Sequence, residues 1–215
     1  MRSPRTKRIL FIVGLLFVVV FVAALVGAYM ISRDPGFAFE NPNKFEADRF
    51  VTKLAKYETA LTNQQKGFVR FSQAEINSYI RQSMTNAVET NAAGLHLRRI
   101  GIGLGNTNVM VYTWAQYKAL GLPLKFCVQR GFRINQNGTN EWEMPQESFK
   151  VGEVEVPKRY WDSANSFLRP LDEPALEQFA WRTNIQAILV RKNEISDHPE
   201  LRLYTYKPIP AEDLR

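Results

Sequence analysis

The stretch Leu95–Ile134, LHLRRIGIGLGNTNVMVYTWAQYKALGLPLKFCVQRGFRI, decides the fold, because its apolar residues recur at every second position. That period sets successive side chains on opposite faces of a strand, whereas a helix needs a repeat near 3.6. Leu95 and Leu97 share a face, Arg98-Arg99 breaks the phase, and Ile100, Ile102 and Leu104 resume it, which predicts a bulge or bend at the arginine pair. From Asn108 to Tyr117 both faces are apolar: Val109, Val111 and Ala115 on one, Met110, Tyr112 and Trp114 on the other. This predicts a strand covered on both sides. In the next strand Leu124, Phe126, Val128, Phe132 and Ile134 oppose Lys125, Cys127, Gln129, Gly131 and Arg133, with Arg130 a cation on the apolar face that needs a partner if buried. Gly101, Gly103 and Gly105 have no βαβ unit around them and no Lys-Ser or Lys-Thr after them, so a nucleotide loop is excluded.

Downstream, Asn137-Gly138 marks a hairpin. A three-residue loop, Asn137 to Thr139, sets Ile134 against Trp142, Phe132 against Met144 and Arg133 against Glu143, keeping apolar on apolar and pairing opposite charges. Asn137-Gly138-Thr139 also matches a glycosylation sequon, but the turn explains it sufficiently. Phe149 to Pro157 reads as a strand slipping at Gly152, followed by a helical stripe of Tyr160, Trp161, Ala164, Phe167 and Leu168 that stops before Pro170. A further helix opens at Asp172–Pro174 with Leu176, Phe179, Ala180 and Thr183 on one face, and two strands, about Gln186–Glu194 and Leu201–Lys207, complete the domain.

Upstream, Ser72-Gln73-Ala74-Glu75 is a capping box, with Phe71 and Ile76 placed as a hydrophobic staple; Ile76, Tyr79, Ile80, Met84, Ala87 and Val88 continue one apolar face, and Asn77 reads as a surface or locally bonded residue. Gly67 to Phe71 is a short extended lead-in. Before it, a helix starts near Asn43, with Phe50, Leu54, Tyr57 and Leu61 toward the core and Arg49, Lys53 and Lys56 on the other side. The expected fold is therefore α+β: one N-terminal transmembrane helix followed by an antiparallel sheet, able to curve, packed with flanking helices.

The expectation of a membrane anchor rests on Ile9–Ile31, twenty-three residues without a charge, bounded by Arg8 and Arg33. As a helix the run reaches roughly 34 Å, enough for a bilayer core of ~30 Å. Arg2, Arg5, Lys7 and Arg8 precede it without an acid, which places the N-terminus in the cytoplasm and the rest outside. Val26-Gly27-Ala28 offers a cleavage site for a signal peptide, but the run is far longer than such a peptide's apolar core. The expected organisation is a basic cytoplasmic tail (1–8), a transmembrane helix (9–31), a linker (32–42), an extracytoplasmic domain (43–207) and a C-terminal tail (208–215). Phe37 and Phe39 in the linker sit at the lipid interface or under the domain.

All 21 acids lie at or beyond Asp34 and five of the 28 cations lie at or before Arg33, so the exported part carries 23 cations against 21 acids, a net +2. That balance gives no support to nucleic-acid binding. Cys127 is the only cysteine, which excludes an intrachain disulfide and suits a bacterial envelope domain held by its core. It lies on the polar face, and only His96 and His198 exist to serve a thiol as base, so it reads as a structural residue. No catalytic constellation, metal cluster or cofactor motif is present in the sequence.

The basic tail, single span, FSQAEINSYI helix (71–80), antiparallel strands and KVGEVEVP segment (150–157) resemble the YpmS-like single-pass bacterial envelope proteins. The segment Asn193 to Glu200 departs from that pattern. The resemblance carries over no catalytic residues and implies a membrane-anchored envelope domain with a curved sheet able to hold lipid.

Three functions are open. The first is a non-catalytic accessory subunit or scaffold binding other integral membrane proteins, with Trp161, Phe167, Trp181 and Tyr204 as contact residues among 26 aromatics. The alternative is a lipid- or apolar-ligand-binding domain lined by Phe126, Val128, Phe132, Trp142 and Met144. The third is an envelope hydrolase using carboxylates such as Glu141, Glu143, Asp162, Asp172 and Glu173, each of which has a turn, strand-pair or cap explanation.

Overall fold

A computed structural model of the chain describes residues 4–37, 41, 43–84, 95–119, 122–136, 142–178, 185–192 and 198–206. In chain order its elements are α1 (Pro4–Ser32), α2 (Lys44–Thr62), β1 (Phe68–Ser72), α3 (Gln73–Met84), β2 (Leu95–Leu104), β3 (Asn108–Ala119), β4 (Leu122–Arg133), β5 (Asn135–Gln136), β6 (Trp142–Glu143), β7 (Gln146–Val151), β8 (Val154–Glu155), a 3₁₀ turn (Lys158–Tyr160), α4 (Trp161–Gln178), β9 (Ala187–Lys192) and β10 (Pro199–Tyr204). The fold is α+β with antiparallel pairing throughout, but the strands form two sheets and a ribbon instead of one sheet. The orders are β2-β3-β4-β7-β8, β1-β10-β9 and β5-β6.

The five-stranded sheet follows the sequence period. Leu95, Leu97, Ile100 and Leu104 of β2 pair with Tyr117, Ala115, Thr113 and Val109 of β3, and the register shifts between Leu97 and Arg99, where the double arginine breaks the alternation. Leu95, Leu97, Ile100, Leu104, Val109 and Ala115 join Val128 and Phe149 on the inner face. The inner face of the three-stranded sheet (Phe71, Val190, Leu201 and Leu203) closes the same core, together with Phe50 and Tyr57 of α2 and Ile76, Ile80 and Met84 of α3. Ala87 and Val88 lie outside the described residues. Arg130, on this face, is half-buried and reaches Thr113 Oγ1 at 3.5 Å.

The capping box forms as its residues require: Ser72 N donates to Glu75 Oε2 (3.0 Å) and Glu75 N donates to Ser72 Oγ (3.2 Å). Asn77 is not a surface residue. Its amide Nδ2 donates to Ile102 O (2.9 Å) and its Oδ1 accepts from Ile102 N (2.7 Å), while Gln73 Oε1 accepts from Leu104 N (2.9 Å). One helical turn of α3 thus meets two successive outward-facing peptide units of β2 and satisfies an edge that would otherwise be open to another chain.

Three local expectations change. The 134–144 hairpin is longer: Gln136 opposes Trp142 and Asn135 opposes Glu143, so five residues (137–141) connect the strands. Phe132 then opposes Gln146 rather than Met144, and Arg133 pairs with Glu147 (3.1 Å) rather than Glu143. Two tertiary demands fix this register. Phe149 must enter the core opposite Arg130, which takes a bulge at Gly131/Phe132, and Ile134 N bonds to Thr107 O (3.3 Å) instead of joining the hairpin. Gly152 is a turn, not a slip: Val151 opposes Val154 across Gly152-Glu153, and Gly152 takes φ +59°, the positive value required at the first position of such a two-residue loop. Finally, α4 runs through Pro170 to Gln178. Proline removes one helical hydrogen bond without ending the helix here, because the first half is docked by Trp161, Ala164 and buried Leu168 against the core.

The side chains of α1 are described from Leu16 onward except that of Phe17, and among the described residues no helix is long and apolar enough to cross a membrane. Its backbone is one continuous helix of 29 residues, and Leu16, Val18 to Val22, Leu25, Val26 and Tyr29 are exposed.

Candidate functional site

A cleft of about 400 Å³ opens between α2 and the β1–α3 junction, lined by Glu46, Arg49 and Lys53 from α2, Arg70 and Ser72 from β1, Glu75 from α3, and His198 and Glu200 at the start of β10. Its floor is made of buried ion pairs. Glu75 is 1% exposed, yet both its oxygens meet Lys53 Nζ (2.6 and 2.8 Å), while one also receives the Ser72 amide. Glu200, paired across the sheet with Ser72, accepts from Arg202 Nε at 2.7 Å, and both side chains are buried. Burial is the largest single influence on Arg202 and lowers its pKa, but its bonds to Glu200 and Tyr204 outweigh it and hold the pKa above the ordinary arginine value.

Around this floor stands a looser rim. Arg49 is half-exposed, with Nη1 3.4 Å from Glu46 and Nε 3.4 Å from Glu75. Arg70 is likewise half-exposed, 3.5 Å from Glu200. Each guanidinium lies over a phenyl ring, Arg49 at 5.7 Å from the centre of Phe45 and Arg70 at 5.1 Å from that of Phe68. The rim cations are therefore held in place while their ion pairs remain long.

A second feature is the joint between α1 and the domain. Glu153 N donates to Met30 O (3.1 Å), Arg33 Nη1 lies 2.9 Å from Glu153 Oε1, and Phe37 stacks on Tyr112 (ring centres 4.2 Å apart) above Gly103. The β7–β8 turn thus grips the end of α1, and the linker phenylalanine packs on the outer face of the five-stranded sheet. Phe39 lies outside the described residues.

The aromatic residues singled out from sequence do not form one surface. Tyr204 is fully buried: its carbonyl accepts from Tyr57 Oη (3.3 Å) and its ring packs on Phe68, so it offers no contact area. Burial raises the Tyr57 pKa, against the opposing effect of the hydrogen bond from Gln186 N. Trp161 is half-buried against Phe149, with its indole donating to Val156 O (2.7 Å). Phe167 is 57% exposed, and Trp181 lies outside the described residues. Of the apolar-lining set, Val128 is fully buried in the core, Phe126 and Met144 pack against it and Phe132 is half-buried; the side chain of Trp142 is not described. None of the four described side chains lines the charged cleft.

The sequence alone does not show the cleft, because it sets Arg49 and Lys53 on the side of α2 opposite its core face and explains Glu75 by capping alone. The available signal was the i, i+3, i+7 spacing of Glu46, Arg49 and Lys53, which sets three charges on one helical face.

Cys127 is buried, and burial, followed by the nearby Asp34 carboxylate, pushes its thiol up to about 12. At pH 8 its thiolate fraction falls roughly a thousandfold below that of a thiol with pKa 9.0. Labelling by a thiol reagent should therefore be undetectable in the native protein at pH 8 and immediate in denaturant; fast native labelling would contradict the burial. Because the folded pKa exceeds the unfolded one, the unfolded chain loses this proton first, and stability should fall as pH rises from 9.0 to about 12.

Among the described residues no three His, Cys, Asp or Glu side chains converge as metal ligands. No family model, curated protein or solved structure matches the chain.

Proposed function

We propose that the protein is a single-pass membrane protein, with its N-terminus cytoplasmic and its α+β domain extracytoplasmic, that acts as a non-catalytic accessory subunit or scaffold for other integral membrane proteins. The uncharged run Ile9–Ile31 lies within the continuous α1 helix, and cations precede it. The observation that carries the accessory reading is the joint. A flexible tether would let the domain sample many orientations, whereas the grip of the β7–β8 turn on Met30 and the seat of Phe37 on Tyr112 hold it at one angle to α1. Fixed orientation lowers the entropic cost of binding a neighbour in the same membrane. The resemblance to YpmS-like envelope proteins supports the membrane anchorage.

Native mass spectrometry of the full-length protein, gently extracted from its own membrane, tests this. Co-migrating membrane-protein subunits are the expected result. Protein recovered at full yield and alone would overturn it, and a retained lipid-sized mass would move the assignment to lipid binding.

A further inference from the structure

We infer that the cleft between α2 and the β1–α3 junction binds an oxyanion, phosphate in type, through the guanidinium groups of Arg49 and Arg70. The floor and the rim are bonded differently. The inner pairs, Lys53–Glu75 and Arg202–Glu200, close at 2.6 and 2.7 Å, and their carboxylates are almost entirely removed from water. The outer cations make 3.4–3.5 Å contacts, and two of the three carboxylates they meet, Glu75 and Glu200, already have closer partners.

Among the described residues Glu75 and Glu200 are thus matched by Lys53 and by Arg202 behind the lining, and Glu46 is the one further carboxylate that lines the open space beside the two rim guanidiniums. Phe45 and Phe68 limit guanidinium rotation, so less freedom is lost when an oxyanion accepts from them. Arginine presents a planar fork of donors that matches phosphate, and charge-assisted bonds of this kind are the strong ones. At about 400 Å³ the cleft holds a small ligand rather than a protein segment. The inference concerns the outer domain and stands independently of any membrane partner.

The test is calorimetric titration of the full-length protein in detergent with inorganic phosphate and, separately, with a short-chain phosphatidic acid. Saturable binding is expected, weakened about tenfold or more by Arg49→Gln and by Arg70→Gln. Arg49→Lys, which keeps the charge but not the fork, should fall between. Arg33→Gln, at the α1 joint, should bind as the unaltered protein does. Both rim substitutions replace half-exposed side chains and leave the Lys53–Glu75 pair intact, so melting temperatures should match and confirm folding. Tighter binding of the lipid than of phosphate identifies a headgroup as the natural source; equal binding identifies free phosphate. No saturable binding of either probe, or the same binding in Arg49→Gln, Arg70→Gln and the unaltered protein, would overturn the assignment.

Discussion

Replacing Glu75 by alanine should destabilise the outer domain by about 3–4 kcal/mol, combining loss of a buried ion pair with loss of a helix cap. One carboxylate serves both purposes: it accepts the Ser72 amide that opens α3 and binds Lys53 through both oxygens. The substitution leaves Lys53 beside the buried floor without its closest partner and leaves the Ser72 amide without its acceptor. For a domain of this size a loss of that magnitude lowers the melting temperature by about 10 °C. Glu75→Gln separates the two contributions. It keeps the volume and an oxygen for Ser72, and Lys53 remains partly hydrated, so it should cost only about 1–2 kcal/mol. Lys53→Met is the harsher partner change, because it leaves the carboxylate, which is 1% exposed, with the Ser72 amide and a 3.4 Å contact to Arg49 as compensation. Its expected cost is about 3 kcal/mol. Thermal melts of the three variants decide the matter. A change below about 1 kcal/mol for Glu75→Ala would mean that the pair contributes little and that the floor is solvated.

This carboxylate also marks how far sequence could be read. Capping is local: Ser72 and Glu75 are three residues apart, and the helix geometry that brings them together is the same in every protein. The ion pair is not local, since Lys53 lies twenty-two residues earlier on another helix, and its spacing from Glu46 and Arg49 marks a charged face of α2 without naming the partner. The strand period was legible for a similar reason. Alternation at Leu95, Leu97 and Ile100 declares the buried face, and the double arginine declares the bulge. Register was not, because the turn residues Asn137-Gly138 favour a short loop, while burial of Phe149 and the bond from Ile134 to Thr107 impose a longer one. The burial of Tyr204 also depends on a neighbour from elsewhere in the chain, the Phe68 ring. Aromatic content alone cannot separate a contact residue from a core residue, whereas the assembled neighbours do.

Gly152→Ala should release the end of α1 from the outer domain. A β-carbon at this position would lie 2.3 Å from Met30 O and 2.4 Å from Ile31 O, and both obstacles are backbone, so neither yields by rotating a side chain. The positive φ adds a conformational cost of about 1–2 kcal/mol for an L side chain. Either the β7–β8 turn opens or α1 moves away, and the second breaks the Glu153 N to Met30 O bond, the exposed Arg33–Glu153 pair, the Phe37 stack and the packing of α1 on β4, leaving the five-stranded ladder whole. The ion pair itself contributes little, since both partners are more than a third exposed, and Arg33→Gln should change stability by under about 0.5 kcal/mol. Steric fit at Gly152, rather than charge, is thus expected to hold the joint. Spin labels on the exposed Ser32 and Ser163, with the buried Cys127 protected from labelling, measure it directly. A single narrow distance distribution should become broad in Gly152→Ala, with faster amide exchange at Glu153. An unchanged narrow distribution would show that the turn absorbs the methyl group and that the joint is held elsewhere. If orientation underlies the accessory role, the same substitution should release partner subunits from the extracted complex while the outer domain retains its melting transition.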